Sequence, residues 1–127
     1  MTLLEHFLND TLNPADFDHR SHVVVGYELL RRHDFDTAYL TYVRHLKALT
    51  IRAGVPEKFN ASITFAAMSV IAERMGLQPI DNADEFLAIN PDLMRAQSFT
   101  SGFSKERLGS DLARRIPLLP DLAAISH

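Results

Sequence analysis

From Phe59 to Ala72 the chain runs for 14 residues without a charge. That stretch constrains the fold more than any other. A helix that is apolar nearly all round belongs in an interior, and 14 residues are too few to cross a bilayer. The run therefore predicts a central helix from about Pro56 or Lys58 to Met75, stopped by Gly76 and wrapped by the others. It also carries Asn60, Ser62, Thr64 and Ser69. Buried Ser and Thr can bond back to the preceding turn of their own helix. Asn60 has no such solution and wants a specific partner or a wet pocket, because an unmatched buried polar group costs about 1–3 kcal/mol.

Helix signals dominate the rest of the chain. A short amphipathic helix opens it and ends near Asn9-Asp10. Asn13-Pro14 is a good helix start, so a helix is expected from Pro14, or from Phe17-Asp18, to His33. Arg31-Arg32-His33 complements the negative end of its dipole. Val23-Val24-Val25 is the nearest strand candidate, but the length of the surrounding pattern favours helix. Asp36 is expected to cap the next helix, with Phe35 and Leu40 at staple spacing. That helix carries Leu40, Val43, Leu46 and Leu49 and stops at Gly54. After Gly76 the elements shorten. A helix opens at Asn82, a turn opens at Asn90-Pro91, and Ser104 caps a helix from Lys105 to about Arg115. Pro117 and Pro120 leave an extended apolar tail, 116–127, expected to lie against the body. The expectation is an all-α, single-domain helical bundle over 1–127, with three long helices and short C-terminal ones.

Composition excludes several functions. Thirteen Lys+Arg against 16 Asp+Glu give a net charge of −3, so no basic excess awaits a nucleic-acid backbone. No apolar run is long enough to span a membrane. With no cysteine there is no thiolate nucleophile and no Cys-ligated metal. Nucleotide-binding glycine loops and the G-x-S-x-G nucleophile turn are missing. The N-terminus lacks a basic region and Glu5 interrupts its apolar stretch, which is not a secretory signal. The cytoplasm is the default compartment.

The strongest local signal is Asp18-His19-Arg20-Ser21-His22. On a helix His19 and His22 stand one turn apart, with Cβ atoms about 5–6 Å from each other. Such a pair can ligate a metal, or one ring can act as an acid or base oriented by a carboxylate. It can also simply cap or pack. No second His-x-x-His completes a metal site, so no metal and no cofactor is assigned. The expected catalytic pair is His22 with Asp18 orienting it. His19, Asn60, Thr64 and Tyr27 are the expected ligand-binding residues. Tyr39 and Tyr42 could line a pocket, as Tyr27 could, but three apart they are expected to pack. Three functions compete: a pocket for a small molecule near His22 and Asn60, a non-catalytic interaction or homodimerisation module, and a metal-dependent enzyme using His19 and His22.

Four strings also resemble a family of small, all-helical, functionally uncharacterised bacterial proteins. They are Phe17-Asp18-His19-Arg20-Ser21-His22-Val23, Gly54 through Thr64, Asn90-Pro91-Asp92-Leu93, and Phe103-Ser104-Lys105-Glu106-Arg107-Leu108. The resemblance covers roughly residues 17–122 and implies a helical fold but no activity. Family members typically read Tyr-His-Glu-Thr where this chain has Phe59-Asn60-Ala61-Ser62. A His-Glu pair there would join the two histidines in a metal site. An amide is a poor transition-metal ligand and a methyl group is none, so the departure leaves a polar pocket between His19/His22 and Asn60/Thr64.

Overall fold

A computed structural model describes residues 1–122. The fold is all-α. Three long helices, α2 (His19–Arg32), α3 (Phe35–Arg52) and α4 (Ala61–Leu77), follow a short α1 (Leu3–Leu8). Four short helices come after: α5 (Ala83–Ile89), α6 (Gln97–Thr100), α7 (Lys105–Leu108) and α8 (Asp111–Arg115). Tight 3-10 turns occupy Pro14–Asp16, Pro56–Lys58 and Pro91–Met94. No helix among the described residues is long and apolar enough to cross a membrane.

Side-chain caps set the helix starts. Asp18, Asp34, Asn60, Asn82, Ser104 and Ser110 each accept a hydrogen bond from the backbone N–H three residues on. This satisfies one of the amides every helix start leaves without a partner. Three expectations shift accordingly. Pro14 and Pro56 open isolated turns, so α2 takes the later of its two expected starts, at the Asp18 cap, and α4 starts at the Asn60 cap, both caps standing extended between turn and helix. The α3 cap is Asp34 instead of Asp36, which brings Phe35 into the helix to stack on Tyr39 at 6.0 Å. The helix expected over 105–115 breaks at Gly109, and Ser110 caps a new one.

Apolar stripes close the body around α2. Val25 and Leu29 join Phe7, Tyr42, Leu46, Phe59 and Met68 in one core cluster. Val23 and Tyr27 join Ile71, Phe86, Leu93 and Phe99 in another. The two helices α2 and α4 thus serve both clusters. They approach closely at Gly26, where an added Cβ would lie 3.1 Å from both Met68 Sδ and Ile71 Cδ1.

The helix α4, uncharged as far as Ala72, is not wrapped on all sides. Ile63 is 39% exposed and Leu77 is 77% exposed, so the helix shows one face to solvent. Lack of charge does not guarantee burial, since more than half of a folded surface is apolar. Phe65, 36% exposed, meets Phe35 and Tyr39 edge-on at 5.8 and 5.2 Å.

The tail is held by polar groups more than by its own apolar side chains. Buried Ser62 donates to Ile116 O at 2.8 Å and accepts from Leu118 N at 2.9 Å. The Asp121 carboxylate accepts from Ser104 N and Oγ, and Arg107 Nε donates to Leu119 O. Leu119 and Leu122 remain largely exposed. The serine expected to bond back within its own helix is instead the clamp for the final segment. Residues 123–127 of the expected tail lie outside the described residues.

Candidate functional site

A cavity of about 470 Å³ opens between α2, α3 and α4. That volume lies in the range of pockets that enclose small ligands. His19 and His22 line it from α2, Tyr42 from α3, and Asn60 and Thr64 from the start of α4. Phe17, Phe59, Met68, Ile71 and Phe99 form apolar walls. Four of the six residues expected to build a site thus share one space.

The local sequence explains the convergence. Asp18 starts α2, and the first turn then carries both imidazoles. His19 and His22 are three apart and lie on one side of the helix. The Asn60 cap begins α4, and Thr64 follows one turn later.

His22 has the most distinctive surroundings. Its ring packs against Phe17, with centroids 4.2 Å apart. The Tyr42 hydroxyl lies 3.0 Å from His22 O and 3.2 Å from His22 Nδ1. One proton assignment satisfies both contacts. The hydroxyl donates its single proton to the backbone carbonyl, and Nδ1–H donates to the hydroxyl oxygen. Nε2 is then a bare acceptor. Among the described residues no group bonds it and no unpartnered side-chain nitrogen or oxygen is sealed away, so Nε2 opens onto accessible space. Burial first and the neighbouring His19 second, opposed by Asp18, together lower the His22 pKa from 6.5 to about 4. The ring is neutral at pH 7.

The other groups are more committed. His19 Nε2–H donates to Leu93 O at 2.8 Å, tying α2 to the Pro91–Met94 turn. Asn60 Oδ1 accepts from Ile63 N, and its Nδ2 donates to Leu108 O at 2.7 Å. Thr64 Oγ1 donates to Asn60 O at 2.8 Å. Asn60 is therefore a helix cap and a strut to α7 as well as a cavity wall.

Two expected roles need correction. The Asp18 carboxylate does not orient His22. It accepts from Ser21 N and Ser21 Oγ, and these bonds hold its pKa below the ordinary value. A capping side chain folds back to the backbone N–H groups of the first turn, and both of the Asp18 bonds go to Ser21. Tyr27 does not line this cavity either. It is buried against Phe86, with ring centroids 4.7 Å apart, in the second core cluster. Its hydroxyl donates to Ile80 O at 3.0 Å, beside a separate small cleft.

Tyr42 is the site residue that its spacing alone assigned to packing. A signal was present: it shares a stripe with Leu46 and Leu49, and a buried tyrosine hydroxyl needs a partner. Burial raises its pKa, so it stays protonated. Among the described residues, Lys58 is the only ionic side chain in the lining besides the two imidazoles, and no carboxylate contributes. No group of three or more His, Cys, Asp or Glu among them is placed to hold a metal. Comparison of the chain with protein-family models, with curated proteins and with solved structures found no match.

Proposed function

We propose that this protein binds a small molecule in the cavity between α2, α3 and α4. One observation carries the proposal: an apolar space of ligand size is walled by two imidazoles, an amide and a hydroxyl drawn from two helices. His22 would meet the ligand directly, and Asn60 and Thr64 would shape the opposite wall.

The test is a fragment screen read by amide chemical shifts on isotope-labelled protein. Hits should perturb residues around His22, Thr64 and Met68. Ala67→Phe, which fills the lining from α4, should abolish them while the helical spectrum persists. Absence of any hit, or hits that survive Ala67→Phe, would overturn the proposal.

A second reading, an interaction or homodimerisation module, draws support from exposed Leu112, Ile116, Leu119 and Leu122 at the C-terminal end. Light scattering separates the two. A monomer at high concentration removes the second reading, and a dimer whose contact excludes the cavity leaves both in place.

A further inference from the structure

The ligand class follows from counting protons around the cavity wall, and this step rests on the binding proposal above. The Tyr42 hydroxyl proton goes to His22 O, and the His22 Nδ1 proton goes to the Tyr42 oxygen. The His19 Nε2 proton goes to Leu93 O. The Thr64 proton goes to Asn60 O, and the Thr50 proton goes to Lys47 O. Asn60 gives one amide proton to Leu108 O. Most donors in the lining are therefore engaged within the protein. Lys58, exposed to solvent, keeps its ammonium donors and Asn60 its second amide proton, while at His22 the wall offers a bare acceptor, Nε2.

We infer that the cavity selects a largely apolar molecule carrying a hydroxyl or N–H group, which donates its proton to His22 Nε2. A ligand that places only an acceptor against His22 Nε2 would leave both groups unpaired. A cationic ligand has no carboxylate to meet among the described residues of the lining. The neutral ring, set in apolar surroundings against Phe17, is suited to accept such a bond.

Matched probes test this: 2-naphthol, which donates, and 2-fluoronaphthalene, which has nearly the same shape and does not. Both are titrated at pH 7 with the intact protein, following amide shifts and the His22 Nε2 nitrogen resonance. The naphthol should bind about five- to tenfold more tightly, the increment of one net hydrogen bond. It alone should move the Nε2 resonance. In His22→Phe the two affinities should converge to within about twofold. Equal affinities in the natural protein with a silent Nε2 would overturn donor selection and leave the binding proposal standing. Failure of both probes to bind, together with an empty fragment screen, would remove both. Should His22→Phe fail to fold, the Nε2 resonance of the natural protein decides alone.

Discussion

Residues 1–77 and residues 78–122 are both helical, but they are held in different ways. In the first region α2, α3 and α4 run 14, 18 and 17 residues and bury long apolar stripes against one another. In the second, helices of 7, 4, 4 and 5 residues are too short to persist alone. They rest on a few apolar anchors, chiefly Phe86, Leu93 and Phe99. Polar side chains from the long helices do the rest. His19 reaches Leu93 O, Tyr27 reaches Ile80 O, Asn60 reaches Leu108 O and Ser62 reaches the tail. Arg74 on α4 grips the Asp92 carboxylate at 2.7 and 3.0 Å and Asn90 Oδ1 at 2.9 Å. The contrast teaches that polar residues on a mostly apolar helix can serve the segment that follows instead of a ligand.

The largest test of that contrast is Leu29→Ala. Leu29 is fully buried in the long-helix core, and truncation should cost about 3 kcal/mol of global stability in denaturant titration. A loss below about 1 kcal/mol would show that the long helices are not the main support.

The first region should also be sensitive to acid. His22 has a folded pKa of about 4, below its ordinary 6.5. The unfolded chain therefore binds more protons between those values, and stability falls as pH drops from 6.5 toward 4. The loss should approach about 3 kcal/mol. His22→Gln should lack that part of the slope. An unchanged slope in the variant would place the acid sensitivity elsewhere.

Arg74→Met should cost about 1.5 kcal/mol by releasing Asp92 and the buried Asn90 carboxamide. Ser62→Ala should cost about 1 kcal/mol, and its signature should be local. Amide exchange at Leu118 should speed up while α2 and α3 keep their protection. Uniform acceleration throughout the chain would break the distinction between the two regions. The smallest effect separates two caps. Asp34→Ala should cost about 1 kcal/mol, and Asp36→Ala only a few tenths, because Asp34 alone makes the capping bond.

The long helices were legible because burial imprints a period on them. The apolar positions Leu46 and Leu49, and Val25 and Leu29, stand at helical spacing, and Gly54 does end α3 in the left-handed region at φ 76°. Helix starts were less legible where two caps competed, as Asp34 and Asp36 did, since both satisfy the same local rule. The meeting of His19, His22, Asn60 and Thr64 was accessible from spacing plus the demand that a polar group on an apolar helix find company. The partners themselves were not. That Ser62 serves Ile116 and Leu118, or that Asn60 serves Leu108, depends on contacts some 50 residues apart. Nothing local in the sequence encodes such a pairing.

The close approach at Gly26 has a bearing on the cavity that no lining residue has. The atoms a side chain there would press on belong to Met68 and Ile71, with Tyr42 next at 3.4 Å, and all three also bound the cavity. Bulk added at position 26 would be transmitted through them and would shrink the chamber from behind. A residue outside the lining thus sets a bound on the volume its neighbours enclose.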